Sequence, residues 1–266
     1  MEPVLTAPIL LDESGLIRAC NELASQDKDF ARILEQHGYP PLWSRKPGFA
    51  TLLHIILEQQ VSLASAKAAF EKLRERLGEV TPAAFLSLSD EELKTCFFSR
   101  QKTRYGRALA EAVTSGSLDL ERLTLQPDDA VRANLTRLPG IGTWTADIYL
   151  MLALHHPDLF PLGDLAAVNA LKSLKQLPRD TPREALAELA ATYRPYRSVA
   201  TFLLWHFYLC ERAKPREGFN PRGDNILAEI NPYSTLYRTN ATCFPSGDQL
   251  GTLIVPCPPK NTSVKS

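Results

Sequence analysis

Leu138-Pro139-Gly140-Ile141-Gly142-Thr143-Trp144-Thr145-Ala146-Asp147 is the stretch on which the reading of this chain turns. It lies between an amphipathic segment, Asp128 to Arg137, and an apolar one, Thr143 to His155, and so predicts helix, glycine hairpin, helix over about 128–155. Pro139 fixes φ, while Gly140 and Gly142 let the backbone come close to another surface. Thr143 opens a helix whose first amides have no partner within the helix. Such amides favour an anion, and a phosphate suits them well. A tight structural turn between two packed helices is the competing reading, since short glycine motifs recur by accident.

Outward from the hairpin the pattern stays helical. Phe49, Leu52, Leu53 and Ile56 form one apolar stripe, and Leu63, Ala66, Phe70, Leu73 and Leu77 form the next, closed at Gly78. Tyr105, Leu109, Ala112 and Val113 form a third, ending at Gly116. Ser89 with Glu92, and Thr181 with Glu184 after Pro182, have capping-box spacing and predict helix starts. About ten helices are expected over residues 12–213, without strands or an internal repeat. From Lys214 onward the prolines multiply and apolar periodicity stops, so 214–266 reads as an irregular or disordered tail behind a 1–213 domain.

Composition excludes several classes. With 266 residues, 44% hydrophobic and 23% charged, the chain has the profile of a soluble globular protein, not a fibrous or disordered one. Val199 to Cys210 is nearly uninterrupted apolar sequence, but it is far shorter than the roughly 20 residues a bilayer requires. No basic leader precedes it, and an intracellular address is the expectation. Five widely spaced cysteines without a C-x-x-C pair argue against disulfide frameworks, zinc knuckles and iron-sulfur clusters. Lys+Arg and Asp+Glu stand at 30 each. The tail holds six of the basic and four of the acidic residues, which leaves residues 1–213 slightly acidic. Net charge alone therefore leaves nucleic acid undecided, because a local basic strip on a neutral protein still holds phosphates.

The context after the hairpin, His156-Pro-Asp-Leu-Phe-Pro-Leu-Gly-Asp164-Leu165, narrows the choice. With it the chain resembles the helix-hairpin-helix base-excision superfamily (HhH-GPD), most closely the alkylpurine, type II 3-methyladenine DNA glycosylases. Gly48-Phe-Ala-Thr-Leu-Leu-His-Ile-Ile-Leu-Glu-Gln-Gln-Val-Ser62 is similar to that family's N-terminal helix and its Gln-Gln-Val-Ser turn. Arg194-Pro-Tyr-Arg-Ser-Val-Ala-Thr-Phe-Leu-Leu-Trp205 is similar to its closing helix. The resemblance spans roughly residues 27–213. It implies an all-α fold of two interleaved helical subdomains with a cleft between them, in a compact form without a β-rich N-terminal domain.

The resemblance also implies roles. Asp164, 22 residues after Gly142, would be the catalytic acid. Breaking the C–N bond of a deoxynucleoside leaves a cationic sugar, which a fixed carboxylate stabilises. A general-base role toward water is equally open, and Gly-Asp before the apolar run Leu165 to Leu174 is also an N-cap signal. Trp144 stands where strand-cleaving members carry a lysine nucleophile, which implies a monofunctional enzyme. Trp144 and Trp205 match aromatics of the alkylpurine pocket, whose π faces attract a cationic base, though core packing is the alternative for each. Ile148 stands where close relatives have a pocket tyrosine. Gln60 aligns with the side chain that fills the gap left by a flipped base, or else caps a helix end.

Backbone grip would come from Leu138, Gly140, Gly142 and Thr143, with the carbonyls of Thr136, Leu138 and Gly140 matching those that hold a structural Na+ or K+ in relatives. Lys102, Arg104, Arg107, Arg194 and Arg197 are candidate phosphate contacts, or a solvated face. The expected activity is hydrolytic release of 3-methyladenine and 7-methylguanine from damaged double-stranded DNA. A monomer with no required cofactor and no membrane is expected, in the cytoplasm or, in a eukaryote, the nucleus. Two rivals stand beside it. One is a non-catalytic DNA or lesion binder. The other is a glycosylase for another lesion, such as ethenoadenine, hypoxanthine, uracil or oxidised guanine.

Overall fold

A ten-residue helix is marginal alone in water, so helices this short persist only where an apolar face is buried. The computed structural model describes residues 10–213, and among them there are thirteen helices and no strand. In chain order they are α1 (Glu13–Gln26), α2 (Lys28–His37), α3 (Phe49–Glu58), α4 (Leu63–Leu77), α5 (Pro82–Leu86), α6 (Asp90–Thr95), α7 (Arg100–Thr114), α8 (Leu120–Leu123), α9 (Asp128–Leu135), α10 (Thr143–Leu152), α11 (Leu165–Leu174), α12 (Arg183–Ala191) and α13 (Arg197–Ala213). Two of the helices beyond the expected ten, α5 and α8, are too short to show a stripe in the sequence. No helix among the described residues is long and apolar enough to cross a membrane. The tail expected at 214–266, and the boundary that sets it off, lie outside the described residues.

Two helices form the spine. In α3 every residue from Leu52 to Glu58 except His54 is buried, and in α10 everything from Thr145 to Leu152 is. They pack on each other, and the Tyr149 hydroxyl accepts a hydrogen bond from the Gly48 amide at 3.0 Å where α3 begins. Phe85 lies edge-on to Phe49 and tilted to Phe98, extending this core toward α7. Around the spine, α3 to α7, α9 and α10 make one packed group. The helices α1, α2, α11 and α13 make the other. The second group is thus drawn from both sides of the first along the chain, which is the interleaving expected from the sequence.

Local signals fare unevenly. The Ser89–Glu92 capping box forms in full at α6, and Gly78 and Gly116 both take the positive φ of a helix stop. The Thr181–Glu184 box does not form. Pro182 itself sits at the N-cap of α12 in an extended conformation, and the Thr181 hydroxyl turns back to the Pro178 carbonyl at 2.6 Å. The two hairpin helices are shorter than the apolar pattern suggests. Thr136 ends α9 with its hydroxyl on the Arg132 carbonyl, and α10 stops before His155, which has φ 57°.

Candidate active site

The cleft is built where the α3–α4 turn, the hairpin and the start of α11 face one another. It encloses about 1220 Å³, with Gln60, Tyr105, Gly140, Trp144, Asp164 and Leu165 in its walls. Each arrives for a local reason. The chain leaves α3 at Glu58, Gln59 is extended and Gln60 takes φ 57°, so neighbouring side chains point opposite ways. Gln59 turns inward, donating to the Gly140 carbonyl at 2.7 Å and to the Thr145 hydroxyl at 2.9 Å. Gln60 is exposed on the cleft wall.

Gly140 is a glycine for two reasons. Its φ is +82°, and a Cβ there would stand 2.1 Å from the Tyr105 ring. That ring, bonded through its hydroxyl to Gln101 at 2.7 Å, is the floor on which the hairpin rests. Gly142 is different: it is extended, exposed, and meets nothing within 4 Å of a built Cβ. It and Thr143 stand exposed at the N-terminus of α10, and their amides donate to no backbone carbonyl among the described residues. Behind the hairpin, Arg132 of α9 donates to buried Asp147 of α10 at 2.6 Å. Burial pushes the Asp147 carboxyl up against the pull of Arg132. His156 Nδ1 and the Asp128 carboxylate, 2.5 Å apart, hold the start of α9 to the segment after α10.

Asp164 is the N-cap of α11, as the Gly-Asp signal suggests, and more besides. Its Oδ1 accepts from the Ala167 amide at 2.8 Å and from the Trp205 indole at 3.0 Å; its Oδ2 accepts from the Trp144 indole at 3.2 Å. All three donors are neutral, and Asp164 makes no ion pair among the described residues. The other carboxylate of the cleft wall, Glu58, is already held by Arg45 at 2.6 Å. No lysine among the described residues lines the cleft.

Several sequence expectations need correction. Lys102 does not reach toward a phosphate: its ammonium donates to the Leu57 carbonyl at 2.5 Å, closing the end of α3, and burial lowers its pKa. Arg197 is taken up by Asp158 at 2.7 and 3.0 Å, and Arg107 by Asp90 and the Leu88 carbonyl. Ile148 is 3% exposed and does not line the cleft. Trp205 is buried too, packed edge-on against Trp43 and tilted against Phe202, and reaches the site only through its N–H. Of the carbonyls matched to a cation site, Gly140 accepts from Gln59 at 2.7 Å and Leu138 from the Ile141 amide at 3.1 Å, which leaves each oxygen one acceptor site. Arg104 and Arg194 stay exposed, as does Arg137 at the hairpin, a cation the sequence reading passed over. Gln59 and Tyr105 were also missed. The nearest signal for Gln59 was the Gln59-Gln60 repeat, which does not say which of the two faces inward, and Tyr105 showed only as a member of an apolar stripe.

Residues 53–195 match the family described as HhH-GPD superfamily base excision DNA repair protein. The chain is 27% identical over 202 residues to DNA-3-methyladenine glycosylase 1 of Schizosaccharomyces pombe, covering 72% of this chain and 87% of that protein. It is 28% identical over 169 residues to a DNA-3-methyladenine glycosylase of Bacillus subtilis, covering 59% of this chain and 56% of that protein. A second B. subtilis relative is spanned over 63% of its length. The fold is similar to the S. pombe 3-methyladenine DNA glycosylase solved in complex with abasic DNA, with a TM-score of 0.67, 26% identity, and 71% of this chain and 95% of that one covered. It is also similar to a DNA-3-methyladenine glycosidase from Bacillus halodurans, with a TM-score of 0.63, 28% identity, and 74% and 90% covered.

Proposed function

Because the chain belongs to the HhH-GPD superfamily of base excision DNA repair proteins, we propose that it is a monofunctional DNA glycosylase that hydrolyses the N-glycosidic bond of alkylated purines in double-stranded DNA. The observation that carries this reading is the state of Asp164: a carboxylate at a cleft wall, fixed by three neutral donors and, among the described residues, offset by no cation. Such a group stabilises positive charge close by, and two positive charges arise in this reaction. One is on an N3- or N7-alkylated purine before cleavage; the other is on the sugar as the bond breaks. Alkylation makes the base a cation and a good leaving group, so the enzyme needs to supply little acid catalysis to it. The Trp144 face beside Asp164 adds attraction for a cationic ring.

Water is the nucleophile in this proposal. A Schiff-base route requires an unprotonated amine in the cleft, and among the described residues its walls hold no lysine. The product is then an abasic site in an intact strand. The target base leaves the stack to reach Asp164, and exposed Gln60 is placed to fill the gap. The free amides of Gly142 and Thr143 hold a backbone phosphate, with Arg137 adjacent to the hairpin. We assign no step to a hairpin cation and no cofactor to the reaction. The protein is proposed to act as a monomer, in whichever compartment holds the DNA.

The test is base release from methylated duplex DNA with wild type and Asp164→Asn, with strand nicks scored before and after alkali. Release of 3-methyladenine and 7-methylguanine by wild type alone, with nicks only after alkali, is expected. Salt-dependent binding by both proteins without release would replace the enzyme with a lesion binder. Excision of uracil or ethenoadenine with alkylpurines spared would assign another lesion class.

A further inference from the structure

The two tryptophans that reach Asp164 come from different halves of the fold. Trp144 is on α10, in the group built around α3, and Trp205 is on α13, in the group that includes α1 and α2. Their indole N–H groups take different oxygens of one carboxylate, Trp144 on Oδ2 at 3.2 Å and Trp205 on Oδ1 at 3.0 Å. Oδ1 also accepts the Ala167 amide at 2.8 Å. A carboxylate oxygen has two in-plane acceptor sites. Oδ1 is therefore fully used, while Oδ2 retains one site, on the oxygen whose only donor among the described residues is itself part of the cleft wall.

Resting on the glycosylase reading, we propose that Trp205 is a positioning residue that acts through Asp164 by its N–H, and that Oδ2 is the oxygen presented to the reacting sugar. Trp205 is 9% exposed, lies against Trp43 and Phe202, and is absent from the cleft wall, so it offers no ring face to a base. Its indole instead holds the carboxyl plane from the side away from the cleft. The amide of Ala167 alone leaves the carboxyl free to turn about Cβ–Cγ. With an indole on each oxygen, one from each half of the fold, the plane is fixed only while the two halves stay in register.

The experiment pairs Trp205→Phe with Trp144→Phe, each alone and each combined with Asp164→Asn, in the full chain. Phenylalanine keeps an aromatic ring in the core and removes only the donor and one ring edge. The readouts are single-turnover release of 7-methylguanine and binding to duplex containing an abasic-site analogue. A lost hydrogen bond to a charged group corresponds to a rate loss of about tenfold to a hundredfold. Trp205→Phe is expected to lose that much in rate, to bind the analogue as wild type does, and to add nothing to the Asp164→Asn defect. Weakened binding with an unchanged rate would make Trp205 a base-stacking residue and overturn the proposal. An equal further loss in the Asp164→Asn background would make it merely structural and overturn it as well. If Trp205→Phe unfolds, Trp144→Phe, on the part-exposed side of the clamp, carries the same rate test on Oδ2; a wild-type rate there refutes the clamp. Absence of release by wild type would instead sink the glycosylase reading itself, a separate result.

Discussion

The two hairpin glycines should fail in opposite ways when given a methyl group. In Gly140→Ala the new Cβ overlaps the Tyr105 ring at 2.1 to 2.6 Å, and the residue must hold φ +82°. The left-handed conformation costs about 1–2 kcal/mol for an L residue, and forced overpacking about 1–3 kcal/mol. If Tyr105 swings aside, the overlap is relieved only by giving up its bond to Gln101. The sum, about 2–5 kcal/mol, corresponds to a Tm lower by about 4–20 °C for a domain of this size. In Gly142→Ala the methyl enters open space at an ordinary φ of −95°, and stability should stay within about 0.5 kcal/mol of wild type. That methyl instead stands beside exposed amides where a DNA backbone would come closest, so duplex affinity should fall about tenfold or more, about 1.4 kcal/mol. Thermal unfolding by circular dichroism and duplex binding by fluorescence anisotropy at one fixed salt concentration separate the two. Adding Tyr105→Ala to Gly140→Ala should recover the overlap part of the loss and leave the left-handed part. Two glycine variants that lose stability equally, or a Gly142→Ala protein that binds duplex as wild type does, would refute the division between an inward and an outward glycine.

Lys102→Met removes the donor to the Leu57 carbonyl, so urea unfolding should show about 1 kcal/mol lost while the dependence of duplex affinity on log salt keeps its slope; a shallower slope would return Lys102 to the phosphates. His54 is half-buried, stacked on Phe70 at 4.4 Å, and desolvation lowers its pKa from 6.5 to about 4, opposed by Glu58 and helped by Arg45 and Lys67. The unfolded chain then binds more protons than the folded one between pH 4 and 6.5. Stability from this site, up to about 3 kcal/mol, is full above pH 6.5 and is lost as the pH falls toward 4. The slope of unfolding free energy against pH in that window should flatten in His54→Gln, and an unaltered slope would count against the assignment.

What the sequence made legible was local or repeated. The hairpin could be read because its glycines, Thr143 and flanking stripes lie within one short segment, and Ser89–Glu92 because a capping box is closed by residues three apart. Asp164 could be read as a cap for the same reason. Its second and third donors could not, since Trp144 and Trp205 reach it from 20 and 41 residues away. Lys102 and Arg197 misled because a cation on a helix looks the same whether it faces solvent or a carbonyl, and their partners Leu57 and Asp158 lie 45 and 39 residues off. Gln59 and Gln60 are chemically identical, and only the left-handed backbone at Gln60 sends one inward and the other out. Thr181 failed for a covalent reason: Pro182 took up the cap position itself.

The interleaved arrangement imposes an order on synthesis. Helices α3 to α7, α9 and α10 pack within one stretch of chain, so they can bury their stripes as they emerge, whereas α1 and α2 must wait for α13, their partner at the far end of the described chain. Contacts of such long sequence separation form late, because the intervening loop has to close first. A ribosome halted within α12 would therefore hold a chain with its hairpin, its Gln60 turn and Asp164, but with Oδ1 of that carboxylate still lacking the Trp205 donor. During each round of translation, the hairpin and the Gln60 turn are made before the carboxylate of Asp164 gains the last of its three donors.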